Sequence, residues 1–304
     1  MTSRERIFSA VKGEIPDRIP FSMWYHFRLT PPAGANMAQA ELEFYDRYKP
    51  DMLKVMHDIP YEPVGPIREV TDWANLPELD PTDGNFGKQL ETLKMIREGL
   101  DDNVPMIDTV FGVYNYADKL SNGRLLDHLT IDPDVVGRGL CSIAVSLERY
   151  AKACIEAGCE GIYYALTGAS AEGETAEIYK KYFLEYDRLI LSAVKDAPLS
   201  VIHLHGYKNL YFDLIHELPA SVICWSDRAA EPNLSVARTI HSGCLMGGLD
   251  ETKVAEMSIE QIQEQARDAI RQIDGKSFIL APGCAIPEYS AAKVSEALAG
   301  LRSA

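Results

Sequence analysis

The chain has 304 residues, 46% of them hydrophobic and 25% charged, with 21 Gly and 17 Pro. That balance suits a globular fold with a full core and excludes disorder, collagen-like sequence and a small disulfide scaffold. Its 45 acidic residues outnumber 30 basic ones, for a formal net charge of −15. With no basic run, the chain lacks the clustered cationic surface that a nucleic-acid backbone needs, and its field opposes a polyanionic substrate unless a local cationic pocket intervenes.

The segment Met1-Thr2-Ser3-Arg4-Glu5-Arg6 carries acid and no apolar stretch, so it is read as neither a secretory signal nor a transit peptide. No window approaches the roughly 20 apolar residues of a membrane helix. Six cysteines (Cys141, Cys154, Cys159, Cys224, Cys244, Cys284) form no CxxC pair, which implies reduced thiols and a cytoplasmic protein.

In chain order, eight β-rich runs alternate with longer segments of helical period. The runs are Arg18 to Trp24, Met52 to His57, Val104 to Val110, Gly161 to Leu166, Leu199 to His205, Ser221 to Trp225, Cys244 to Leu249 and Ser277 to Ala281. Helical spacing marks Val135 to Ala157, Thr175 to Lys195, Ile259 to Ile273 and Ala291 to Leu301. Eight such units with no break in composition predict a single α/β domain over residues 1–304, a TIM-type (β/α)₈ barrel, with a doubly wound sheet as the rival. The proline-rich, acidic stretch Pro60 to Asn85, with Trp73 in its middle, breaks the rhythm and is expected to be a lid-like excursion.

In a barrel the chemistry sits where strands end. Those positions hold Tyr25, His26 and Arg28 after the first run, His57 and Asp58 after the second, and Asp108, Phe111 and Tyr116 at the third. Tyr164 and Thr167 follow from the fourth, His203 and His205 from the fifth, Trp225, Asp227 and Arg228 from the sixth, Asp250 from the seventh and Cys284 from the eighth. Trp24, Phe111 and Tyr164 are candidate walls for a flat or apolar ligand.

His203-Leu204-His205-Gly206 is the sharpest local signal. Residues two apart on a strand share a face, so both imidazoles point one way, toward either a zinc ion or a metal-free polar pocket. Ala281-Pro282-Gly283-Cys284-Ala285-Ile286-Pro287 turns sharply around a thiol that is either a third ligand or a buried packing cysteine. Three protein ligands with an open fourth position are the catalytic zinc pattern. Asp58, beside His57, is placed to orient a ligand, accept a hydrogen bond or stabilise a cation, whereas Trp225-Ser226-Asp227-Arg228 suits a local ion pair better than chemistry. Met246-Gly247-Gly248-Leu249-Asp250 lacks the pattern of a nucleotide loop, and no GxSxG element stands out.

The opening SRERIFSAVKGEIPDRIPF, the segment PDMLKVMHDIP, CWSD followed by MGGLD, and the closing LAPGCAIPEYSAAKV resemble the uroporphyrinogen decarboxylase superfamily nearly end to end. That superfamily includes zinc-dependent methyltransferases that move methyl groups between corrinoid proteins and thiols such as coenzyme M. From the decarboxylase branch the resemblance implies that Asp58 takes the place of a pyrrole-binding aspartate and Tyr116 that of a tyrosine after the third strand. Its C-terminal histidine, however, aligns with Cys284, and Arg28 is the only arginine where that branch has a pair. From the methyltransferase branch it implies zinc ligands at His203 and Cys284, with His205 where that branch has cysteine. The expectation is therefore a zinc-dependent, corrinoid-linked methyltransferase acting on a small molecule. A tetrapyrrole decarboxylase using Asp58 and Tyr116 is the alternative, and a non-catalytic corrinoid or small-ligand binding protein the third reading. Trp24, His26, Arg28, His57, Phe111, Tyr164, Trp225 and Asp227 are expected to contact substrate.

Overall fold

The computed structural model describes residues 1–62 and 64–302. Pro63, inside the stretch expected as an excursion, lies outside the described residues. Helices α1 (Ser3–Val11) and α2 (Ala35–Tyr48) lead to β1 (Leu53–Val55); a 3-10 helix (Val70–Asn75) and α3 (Gly84–Gly99) lead to β2 (Met106–Phe111). Then come α4 (Val113–Leu120), α5 (Leu125–Ile131), α6 (Pro133–Glu156), β3 (Gly161–Leu166), α7 (Ala176–Tyr182), α8 (Leu184–Ala193) and β4 (Val201–Leu204). The last third runs α9 (Phe212–Ile215), β5 (Val222–Trp225), α10 (Leu234–Ile240), β6 (Cys244–Leu249), α11 (Ile259–Gln272), β7 (Phe278–Pro282) and α12 (Ala291–Arg302).

The seven strands are parallel and pair in sequence order from β1 to β7, as a chain of right-handed βαβ units requires. Their side chains alternate between two apolar layers. Met52, Met56, Ile107, Tyr163, Val201, Cys224, Met246, Ile279 and Ala281 fill the interior of the curled sheet, joined by Ile7 and Ala10 of α1. Leu53, Val55, Ile162, Tyr164, Ile202, Leu204, Ile223, Trp225 and Leu245 face the helices.

The expected first strand, Arg18 to Trp24, is a correction: it forms one parallel bridge, Phe21 to Leu280, and no ladder. Pro20 has no N–H to give, and only its carbonyl, accepting from Leu280 N at 2.9 Å, and Ser22 N, donating to Leu280 O at 3.0 Å, engage β7. On the other side Asp51 N donates to Phe21 O at 2.8 Å. Charge does the rest: the buried Asp51 carboxylate accepts from Arg6 Nη1 at 2.7 Å, Arg18 Nη1 at 2.6 Å and Phe21 N at 3.0 Å. The opening motif is thus a clasp around one aspartate.

Within the expected excursion, Trp73 is an anchor. Trp73 is fully buried, donates from Nε1 to His128 Nδ1 at 2.9 Å, and packs on α6 so closely that a Cβ at Gly139 would come within 2.7 Å of its ring. The expected helix Thr175 to Lys195 is broken at Phe183, whose buried ring packs edge-on against Tyr114.

Candidate metal centre and adjoining cavity

Alternation along β4 turns Val201 and His203 inward and Leu204 out. His205 lies one residue beyond the strand, held by its N–H to Leu166 O at 3.0 Å. Gly206 then leaves with φ +128, where a Cβ would sit 2.8 Å from both Glu172 and Ser170, so only glycine makes this exit without strain. On the far side of the mouth, Gly283 lies against the loop after β5: a Cβ there would meet Ser226 Cα at 2.3 Å. That close approach carries Cys284 over the histidines.

The ligand atoms of His203, His205 and Cys284 all lie within 4.8 Å of one another, with Cys284 Sγ 3.9 Å from His205 Nδ1. His203 is buried under the Tyr163 ring, centroids 5.1 Å apart, and neither of its ring nitrogens has a hydrogen-bond partner. Two orphaned nitrogens in a buried imidazole are costly unless something binds them. Burial, reinforced by His205 and by Lys54, pushes His203 well below the ordinary histidine range, and burial also lowers His205. Both rings are therefore neutral at neutral pH, with lone pairs free. Burial raises the Cys284 thiol, against a backbone hydrogen bond that lowers it. Two neutral imidazoles and one thiol at this spacing are the donor set of a zinc site with one position left over.

Glu251 braces this arrangement and was not foreseen. It accepts from Ser226 Oγ at 2.5 Å and Gly283 N at 3.2 Å, tying the loops after β5 and β7 together. Lys54 was also missed. It points inward from β1, fully buried, with Nζ 4.8 Å from the Tyr163 ring centre and 5.4 Å from that of Trp24. Burial lowers its pKa from 10.5 to about 8. The folded chain thus releases this proton earlier than the unfolded chain, so Lys54 makes stability rise as pH climbs from about 8 to 10.5. Lys54→Met is expected to stabilise the protein by about 3 kcal/mol at pH 7 and to remove this rise. Urea denaturation of both proteins across that range measures it.

After β1 and β2, a cavity of about 380 Å³ is bounded by His26, His57, Asp58, Tyr61, Phe111, Tyr116 and Lys119 among others. His26 Nδ1 and Asp58 Oδ1 are 2.6 Å apart. His57 Nδ1 lies 3.3 Å from Asp108 Oδ2, which also accepts from Tyr150 Oη at 2.7 Å, while Asp108 Oδ1 accepts from Gln89 Nε2 at 2.9 Å. Burial drives the Tyr116 phenol far above its ordinary range. A wider cleft of about 790 Å³ shares His26 and adds Arg28, Arg47, Glu251 and Ala285, the residue after Cys284. Arg28 holds a left-handed φ of +55 at its edge.

Three expected contacts are corrections. Tyr164 faces the helices and donates to Asp187 Oδ1 at 2.7 Å; its neighbour Tyr163 is the inward residue. Trp225 also points outward, giving its Nε1 proton to Pro232 O at 2.7 Å. Asp227 lies behind β6, accepting from Gly248 N at 2.7 Å, and serves the strand rather than the mouth. For Tyr164 and Trp225, a strand with apolar residues on both faces left the inward face unmarked in the sequence. Trp24 lies inside the curled sheet, edge-on to Tyr163 with ring centres 5.4 Å apart.

Seven parallel strands curled into a half-barrel with helices outside, and three possible metal ligands at their C-terminal ends, define an α/β protein whose site lies at the strand ends. Residues 62–302 match the uroporphyrinogen decarboxylase family (URO-D), and the chain belongs to it. Methylcobamide:CoM methyltransferase MtbA of Methanosarcina acetivorans is 23% identical over 223 residues, 72% of this chain and 64% of that protein. The MtbA of Methanosarcina mazei is 23% identical over 222 residues, with the same shares. The chain thus matches about 64% of the length of these relatives. In fold it is similar to a methyltransferase from Methanosarcina mazei, with TM-score 0.80 and 18% identity over 100% of this chain and 98% of that one. A B12-independent methionine synthase from a Shewanella species aligns over 70% of this chain and 65% of its own, with TM-score 0.55 and 13% identity. Among the described residues no helix is long and apolar enough to cross a membrane.

Proposed function

We propose that this chain is a zinc-dependent methyltransferase that passes a methyl group between a small molecule or thiol and a corrinoid carried by a partner protein. The observation that carries the reading is the meeting of His203, His205 and Cys284, with both nitrogens of the buried His203 unpartnered. Relatives named as methylcobamide:CoM methyltransferases support the corrinoid. A zinc ion bound here supplies Lewis acidity, which lowers the pKa of a thiol in the open position. The chain's own residues do the positioning. Neutral His203 and His205 offer lone pairs without first losing protons, Gly283 sets the height of Cys284, and Glu251 fixes the loop. Compared with a two-cysteine set, His205 removes one thiolate and leaves the ion more positive. Asp58 and Tyr116 hold the second reactant. We further infer that Pro20 to Ser22 stands in for an eighth strand of one barrel. Tetrapyrrole decarboxylation is not favoured: the arginines of the large cleft are Arg28 and Arg47, and Glu251 and Glu288 share it with them.

The purified protein is expected to carry about one zinc, with an absorption-edge spectrum of two nitrogens, one sulfur and one light atom. It is also expected to demethylate methylcobalamin in the presence of a thiol. Activity that survives both chelation and His203→Ala would sink the zinc assignment, and tight corrinoid binding with no turnover for any donor and acceptor would favour a binding protein.

A further inference from the structure

The 380 Å³ cavity after β1 and β2 holds two polar atoms that the protein leaves unanswered: His57 Nε2 and Tyr116 Oη, both buried and both without a hydrogen-bond partner. A carboxylate only accepts, so Asp108 orients His57 by holding its Nδ1 proton, which leaves Nε2 as an acceptor without a partner. The Tyr116 hydroxyl is a donor with nothing to donate to. Leaving such groups dry costs about 1–3 kcal/mol each, which a ligand bearing one oxygen with a proton and lone pairs can recover.

The rest of the wall fixes the class of ligand. Tyr61, Phe111 and Tyr116 give aromatic faces and edges, with Tyr61 and Tyr116 centroids 4.8 Å apart and the Phe111 and Tyr116 rings at 83°. Rings meeting at such angles pack a further flat ring well. The two unlike charges on the wall, Asp58 and Lys119, cancel, so an ionic ligand gains little. Lys119 Nζ already sits 5.3 Å over the Phe111 ring, occupying the face that a methylated ammonium would use and repelling it. A tetrapyrrole is too large for this volume.

We propose that this cavity binds a neutral monocyclic aromatic compound carrying a hydroxyl, which lies against Phe111, accepts from Tyr116 Oη and donates to His57 Nε2. Binding stands on the cavity alone; that this compound is a reactant of methyl transfer rests on the function proposed above.

The test is calorimetric titration of the full chain, stripped of metal by chelator, with 2-methoxyphenol, benzoate and tetramethylammonium in parallel. Saturable one-site binding of 2-methoxyphenol, at least tenfold tighter than either ion, is the expected result. Tyr116→Phe, which keeps the ring, is expected to weaken it by about fivefold to tenfold, the value of one hydrogen bond. Phe111→Ala should weaken it further, and Lys119→Met should strengthen tetramethylammonium alone. Absence of saturable binding, preference for either ion, or affinity unmoved by Tyr116→Phe and Phe111→Ala together overturns the proposal. Because no metal is present, failure of the zinc assignment leaves this outcome untouched.

Discussion

Cys284→Ala is expected to lower zinc affinity by more than about a hundredfold and to abolish thiol methylation, while the metal-free protein melts as before. Even outer-shell partners of a zinc site are worth about 10–100-fold, and a direct ligand is worth more. The fold should tolerate the change because Cys284 is only half-buried and alanine removes a single sulfur atom from it. Substitutions that neither open a cavity nor orphan a polar group stay within about 0.5 kcal/mol. Cys224→Ala is the control. That thiol is also inside the curled sheet, 3.6 Å from Gly283 O, but outside the triad. It should cost packing stability and keep the zinc. Metal titration and thermal melting of both variants decide it, and a Cys284→Ala protein that retains zinc at unchanged affinity removes the thiol from the site.

Zinc loading near neutral pH is expected to release about one proton, and affinity to rise about tenfold for each pH unit up to the thiol's raised pKa. The signs follow from burial. His203 and His205 are lowered, so both are already neutral and give up nothing when they ligate. Cys284 is raised, so its thiol keeps its proton until metal displaces it. Calorimetry in two buffers with different ionisation enthalpies counts the protons. Release of two or more would mean that a histidine is charged before binding, and release of none that the thiol does not ligate.

The alternation of strands and helices could be read because each β-rich run is bounded by a segment of helical spacing, and β3 and β6 fall on the expected residues. In His203-Leu204-His205 the two polar residues flank an apolar one, which marks the inward face of β4. Gly161 to Leu166 carries no such mark: tyrosines stand on both faces, and Tyr164 is interchangeable with Tyr163 until the neighbours are known. Lys54 hides for the opposite reason, as a charge in a short strand ordinarily marks solvent. Glu251 and Asp108 act through partners distant in sequence, such as Ser226 and Tyr150, 25 and 42 residues away, and no local pattern carries that pairing. The first strand misled because Arg18 to Trp24 has strand composition, yet its proline and the short β1 beside it leave room for one bridge.

That bridge has a mechanical consequence. The six neighbouring strand pairs are hydrogen-bonded ladders, whereas β7 and β1 are joined through the Phe21 segment, by its few backbone bonds and by Asp51 with its two arginines. The fastening lies between the two halves of the mouth. β7 ends at the residues that carry Cys284, and β1 ends at those that carry His57 and Asp58. The link between the strands that lead to Cys284 and to Asp58 is therefore held by an ion-pair cluster just before β1 begins. Weakening that joint, as Arg18→Met is expected to do, would loosen the tie between β7 and β1 without touching His203, His205, Cys284, His57 or Asp58.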